Sequence, residues 1–261
     1  MSLSPLTPVT PLPAATILLL RDGARGLEVL MIERHTRISF AGGALVFPGG
    51  KVDAEDRLLL AHCVADAEGD TLISRIAAIR EAYEEARILL AHHTGSTDLM
   101  SADEVHAFHE HYVRTGDFLS TVLATGVTLA TDLLVPIAHW ITPVGLPKRF
   151  DTQFFVALGP TEQIALEDGF EAVETLWTTP QAALDAEESG NRILMVPTFF
   201  VLRKLAKSHS AAEAIEAARI GRVHPITADL IQTDDGETAN IPADSGYDLH
   251  AVPWDRLLAQ R

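Results

Sequence analysis

One cysteine, Cys63, stands in 261 residues. No intrachain disulfide can form, which fits a reducing cytoplasm. Cys63 itself reads as a small core residue. Basic residues are scarce as well: 20 Lys and Arg face 36 Asp and Glu, a formal net charge of −16. That deficit argues against nucleic-acid binding, which needs cations along the phosphates. An anionic substrate must therefore meet a metal ion or a few placed Arg and Lys side chains. Long apolar runs are missing too. The run Ala14–Leu20 is short, follows no basic residue and ends at Arg21-Asp22. It reads as a β-strand, not a signal peptide or a membrane span. The final Leu-Ala-Gln-Arg matches no targeting signal. The expected location is the cytoplasm, with no membrane partner.

Apolar residues make up 47% of the chain, enough for a sizeable core. Residues 1–13, rich in Pro, Ser and Thr, read as a flexible arm. Ala14–Arg21 and Glu28–Arg34 flank a Gly-containing turn, a hairpin pattern. Ala44–Phe47 is a third strand, ended by Pro48-Gly49-Gly50, and Arg57–Gly69 is irregular or partly helical. Thr71–Leu90 carries Leu72, Ile76, Ile79, Tyr83, Ala86 and Leu90 on one helical stripe, with Asp70 or Thr71 as cap. Ser101–Arg114 is a helix opened by a capping box, Ser101 with Glu104, and Asp117–Ala124 is a short helix. Strands follow at Val135–Thr142, Thr152–Leu158 and Val173–Thr178. Helices follow at Pro180–Glu188, Pro197–Lys207 and Ala211–Arg219, the first two with Pro in the first turn. Val223–Pro242 holds two extended runs around Asp234-Asp235-Gly236, a second hairpin. Strands and helices mix without strict alternation, so the expected class is α+β with a mixed sheet between helices.

The segment Arg80-Glu81-Ala82-Tyr83-Glu84-Glu85 carries the chemistry. On a helix, Glu81, Glu84 and Glu85 share one face. Like charges so placed repel by a few tenths of a kcal/mol per exposed pair. A divalent cation would offset this, and hard carboxylate oxygens suit Mg²⁺ or Mn²⁺. Taken alone, such a trio is more often a solvated acidic face. Upstream, Phe47-Pro48-Gly49-Gly50 ends a strand in a double glycine, where backbone can approach a ligand closely. The two elements in this order are far more specific than either.

Together they resemble the Nudix hydrolase superfamily. Gly50 matches the leading glycine of its box, and Arg80, Glu81, Ala82, Glu84, Glu85 and Ile88 match the second half. The resemblance implies an α/β/α sandwich, Mg²⁺ on Glu81, Glu84 and Glu85, and an Arg80 that orients a helix glutamate by a salt bridge. Three departures stand out. Five residues after Gly50 comes Asp56, with Glu55 beside it, where the pattern has Glu; either acid could serve. Between Asp56 and Arg80 lie 23 residues in place of seven, an insert of about 16 before the catalytic helix. Arg87 replaces the box glycine, which a left-handed C-cap would favour. The simplest expectation is that the helix continues through Arg87 toward Leu90.

An insert at this place resembles the subgroup similar to the peroxisomal coenzyme A diphosphatase. Val46–Asp53, Arg149–Phe155 and Glu174–Trp177 with Pro180 look like that subgroup's other blocks, so the resemblance covers roughly 14–207. Residues 208–261 read as a helical and hairpin extension packed on the same domain. The implied reaction is hydrolysis of a phosphoanhydride in a nucleoside diphosphate conjugate, with coenzyme A or an acyl-CoA foremost. ADP-ribose, a dinucleotide, or a non-catalytic binding module are the alternatives. Catalytic roles fall to Glu84, Glu85 and Arg80. Gly49, Gly50, Arg34 and Arg149 are expected to meet the substrate, the arginines through its phosphates. Phe150 suits the core better than base stacking. Glu171 and Glu174 are loop acids that could act as general base. His106, His109 and His111 read as a surface helix without metal-site spacing. His92 and His93 favour the dipole of the preceding helix. Dimers are common in the superfamily, so a homodimer is expected.

Overall fold

The chain is described from a computed structural model over residues 9–35, 43–65, 67–93, 95–166, 172–234 and 236–253. Strand β1 (Leu12–Gly23) runs through the middle of the sheet. Its residues are apolar on both faces: Ile17 and Leu19 join one core, Leu18 and Leu20 the other. A strand covered on both sides reads as a continuous apolar run. The turn Ala24-Arg25 returns it to β2 (Gly26–Arg34), with Gly26 at φ 96°. Glycine reaches that conformation without steric penalty. Because β1 begins at Leu12, the C-terminal end of the expected arm is strand; residues 1–8 lie outside the described set.

Next come β3 (Ala44–Val46) and β4 (Gly49–Lys51), then a 3-10 helix, Ala54–His62. Helix α1 spans Gly69–Ala86. It starts two residues before the expected Thr71, with Glu68 at the N-cap and Asp70 in the first turn. It does not continue to Leu90. Arg87 adopts the left-handed conformation, φ 58°, and its N–H bonds Tyr83 O at 2.9 Å while Ile88 N reaches Ala82 O. This is the left-handed helix end that glycine usually makes. The chain then extends into β5 (Ala91–His92), which pairs with β6 (Thr128–Leu129). Between them lie α2 (Ala102–Thr115), with its Ser101–Glu104 capping box, and α3 (Phe118–Thr125).

Strands β7 (Val135–Ile141), β8 (Phe150–Leu158) and β9 (Ala172–Thr178) lead to α4 (Pro180–Glu188), β10 (Ile193–Leu194), α5 (Val196–Leu205) and α6 (Ala211–Ile220). Then follow β11 (Pro225–Thr227), β12 (Asp229–Thr233), β13 (Gly236–Asn240) and β14 (Ala251–Pro253). The large sheet runs β10-β3-β2-β1-β8-β7-β11, with β4 on β1 and β9 on β2. It is mixed: β1 is antiparallel to β2 and parallel to β8. One face is covered by α1, α2 and α3 through Ile76, Ile79, Tyr83, Phe108 and Phe118. The other is covered by α4, α5 and α6 and by the small sheet β12-β13-β14, through Ala183, Phe200, Ala214 and Val252. The result is the α/β/α sandwich of an α+β chain.

Candidate active site

The site forms where β4 passes the C-terminal half of α1. Antiparallel pairing sets Ala15 opposite Gly50 and Thr16 opposite Gly49. A Cβ on Gly49 would come within 2.6 Å of Ala15 O. A Cβ on Gly50 would come within 2.4 Å of Glu81 Oε1. Glycine at 49 thus lets β4 lie close against β1, and glycine at 50 lets the strand edge touch the Glu81 carboxylate. The Gly49 N–H donates to Glu85 Oε2 at 2.8 Å, and Arg34 Nη1 stands 3.7 Å from Glu85 Oε1.

Arg80 is the hub. Its Nε donates to Asp56 Oδ1 at 2.8 Å and its Nη2 to Asp56 Oδ2 at 3.1 Å, a bidentate pair. Its Nη1 donates to both Glu81 Oε1, 2.8 Å, and Glu84 Oε2, 2.9 Å. Its Nη2 also reaches Lys51 O at 2.8 Å, and Asp53 lies 3.6 Å off. Asp56 is buried and held by the Asp53 N–H as well, whereas Glu55 is exposed. Of the two first-half candidates, Asp56 is therefore the one on the arginine. Burial pulls the Arg80 guanidinium down, but Asp56, Glu81 and Glu84 outweigh it and hold it above its ordinary value. Burial lifts Glu81 from 4.5 to about 7; Arg80 opposes the rise, and Glu84 and Asp53 add to it. Glu84 is also raised, first by burial, again against Arg80.

The three glutamates do not converge on one point as expected. Among the described residues, no three Asp, Glu, His or Cys side chains form a ready cation cage. Glu81 and Glu84 share Arg80, and Glu85 is turned toward Gly49 and Arg34. The donor set nevertheless fits a hard divalent cation. It consists of carboxylate oxygens on one helix face, and a single arginine answers Asp56, Glu81 and Glu84. Burial is what drives Glu81 upward, and the neighbouring Glu84 and Asp53 add to the rise.

Arg149 does different work from the phosphate contact expected of it. It is buried, and it donates to the carbonyls of Thr142, Pro143 and Val9 at 2.7–3.1 Å. A guanidinium at the β7–β8 turn satisfies several edge carbonyls at once, and that ties the entry to β1 down. Glu174 pairs with Arg192, which also pairs with Glu33. Glu171 lies outside the described residues. Phe150 is half-buried, with the Lys148 ammonium 5.3 Å from its ring centroid. His109 Nδ1 bonds the Tyr83 hydroxyl at 2.9 Å, and His106 faces Glu110. His92 sits in β5, bonded to Asp98 O, and is not at the end of α1. Cys63 is only half-buried, with its thiol on Leu60 O.

Two features had no local signal. Tyr112 reaches across from α2 and donates to Glu84 Oε1 at 3.4 Å. A mostly apolar cavity of about 200 Å³ opens beside Gly49 and Arg34, walled by Phe47, Trp140, Leu146 and Met195 among others. Both join residues far apart in the chain.

Arg87 is the one described non-glycine residue at positive φ. That conformation costs about 1 kcal/mol or more. Its guanidinium stands 5.5 Å from the Tyr83 ring centroid and 5.7 Å from that of Tyr112. Two such cation–π contacts, about 0.5–1 kcal/mol each, are of the size needed to offset it.

Comparison with known proteins agrees with this geometry. Residues 62–205 match the family model of the NUDT19 Nudix domain. A Caenorhabditis elegans protein carrying the name nudix hydrolase 7 is 30% identical over 74% of this chain, which spans 60% of that protein's length. The human acyl-coenzyme A diphosphatase NUDT19 is 26% identical over 86% of this chain and 73% of its own. A crystal structure of a NUDIX hydrolase from Alicyclobacillus acidocaldarius superposes with a TM-score of 0.72 at 30% identity, covering 82% of this chain and 99% of that one. Among the described residues no helix is long and apolar enough to cross a membrane. The chain belongs to the Nudix hydrolase family, with a domain of the NUDT19 type.

Proposed function

We propose that the chain hydrolyses a phosphoanhydride in a nucleoside diphosphate conjugate, and that coenzyme A or an acyl-CoA is the favoured substrate. The observation that carries this reading is the carboxylate cluster on α1, gathered round Arg80 beside the Gly49-Gly50 edge. Glu81, Glu84 and Glu85 would hold Mg²⁺ or Mn²⁺. When bound, the ion neutralises phosphate charge and lowers the pKa of a bound water. Arg80 keeps Glu81 and Glu84 oriented and Asp56 neutralised. Glu85, oriented by the Gly49 N–H on Oε2 and by Arg34 beside Oε1, receives the proton of the attacking water. Water then displaces the leaving phosphate in line. Arg34 stands between the acidic face and the apolar cavity, placed to meet a phosphate whose organic part fills the cavity.

The name of the human relative and the apolar cavity both favour a CoA-type substrate over ADP-ribose or a dinucleotide. The test is a panel of coenzyme A, an acyl-CoA, ADP-ribose and a dinucleoside polyphosphate with Mg²⁺, products separated by chromatography. The expected result is 3′,5′-ADP and a 4′-phosphopantetheine product, with at least about 100-fold loss in Glu84→Gln. Absence of turnover on every member, with Mg²⁺ and with Mn²⁺, overturns the proposal and leaves a binding module.

A further inference from the structure

A glycine would serve the backbone at position 87 without strain, yet an arginine stands there. Its side chain runs to α2, not to solvent alone: the guanidinium lies over the rings of Tyr83 and Tyr112. Those rings meet edge to face, with centroids 5.2 Å apart, and His109 stacks on Tyr112 from the other position on α2. Tyr112 is thus gripped by three groups. Its hydroxyl is aimed at Glu84 Oε1, the oxygen that Arg80 does not hold. A carboxylate bonded at one oxygen can still rotate; bonded at both, it is fixed.

We infer that Tyr112, braced by Arg87, is a positioning residue that fixes the Glu84 carboxylate for its cation, so that α2 is part of the site's support. This rests on the hydrolase reading above. Tyr112 touches neither water nor phosphate in this scheme; it acts through Glu84. Arg87 acts one step further back, through the Tyr112 ring. The arrangement also accounts for the arginine: a glycine would close α1 equally well but remove one of the three groups that hold the Tyr112 ring.

The test uses the full chain and two readouts. Mn²⁺ affinity is measured without substrate, from the electron paramagnetic resonance signal of free Mn²⁺. The constants kcat and KM are measured on the best substrate of the panel at saturating Mg²⁺. Tyr112→Phe keeps the ring and loses only the hydroxyl. Its Mn²⁺ dissociation constant is expected to rise about fivefold and kcat to fall by a similar factor, with KM changed less than twofold. Arg87→Gly keeps the backbone conformation and should shift both in the same direction by less. The double variant should lose no more than Tyr112→Phe alone, since both residues act along one chain of contacts. If both single variants bind Mn²⁺ and turn over as the parent does, the inference fails while the hydrolase reading stands. If the parent itself neither binds Mn²⁺ nor hydrolyses any member of the panel, the hydrolase reading has failed and takes this one with it.

Discussion

Two buried arginines, Arg80 and Arg149, meet their charge requirement in opposite ways. Arg149 is surrounded by backbone carbonyls, which are dipoles, so its neighbourhood carries no excess of negative charge from those partners. Arg80 is surrounded by carboxylates: Asp56, Glu81 and Glu84 at hydrogen-bonding distance and Asp53 at 3.6 Å. A cation among dipoles is finished; a cation outnumbered by acids leaves charge still to be answered. The first arrangement anchors a turn. The second is poised to take up another cation, and there burial, with smaller additions from Glu84 and Asp53, raises Glu81 above its ordinary pKa. Burial of an arginine therefore says little about role until its partners are known.

The largest effect expected is at the hub. Arg80→Ala leaves Asp56, 1% exposed, without its bidentate partner. Unfolding in urea should show a loss of about 3–5 kcal/mol, together with loss of hydrolysis. A variant as stable as the parent would put Arg80 on a par with a surface charge. Next in size is a pH dependence. The folded chain holds the Glu81 proton more tightly than the unfolded chain, about 7 against 4.5. Its contribution to stability is full below pH 4.5 and is lost as pH rises through about 7. In EDTA, the parent should lose up to about 3 kcal/mol relative to Glu81→Gln between those limits. Parallel pH curves for the two would contradict the burial argument.

Arg149→Ala sharpens the contrast from the other side. Stability should fall by about 2 kcal/mol as carbonyls lose their donor, while KM stays within twofold. A tenfold rise in KM would return Arg149 to the substrate. Smallest in stability is Gly50→Ala. The group a new Cβ meets is the flexible end of Glu81, so the cost should be about 1 kcal/mol. Turnover should nonetheless drop roughly 10- to 100-fold, because the carboxylate is displaced. Thermal melts and steady-state rates on the same preparation separate the two effects.

Much of this was legible in the chain because it is local. The stripe Ile76, Ile79, Tyr83, Ala86 and the face Glu81, Glu84, Glu85 follow from helical period, and both lie on α1 as expected. The capping box at Ser101 and the two hairpins are local as well. What the chain hid is long-range. Asp56 and Arg80 meet across the insert, 24 positions apart, and nothing nearby distinguishes Asp56 from Glu55. Tyr112 meets Glu84 across 28 positions. Arg149 was misread because a planar fork suits phosphate and carbonyls alike, and only the fold decides which is present. Arg87 was misread for a different reason: left-handed geometry is rare outside glycine, so an arginine argued for continued helix, while ring contacts from α2 allowed the turn.

The measurement that bears most directly on the account is an anomalous difference map from crystals grown with Mn²⁺. A manganese peak bound by oxygens of Glu81, Glu84 and Glu85, with Arg80 still on Asp56, is the predicted result. Three carboxylates left on Arg80, Gly49 and Arg34, with no peak beside them at saturating Mn²⁺, would contradict it.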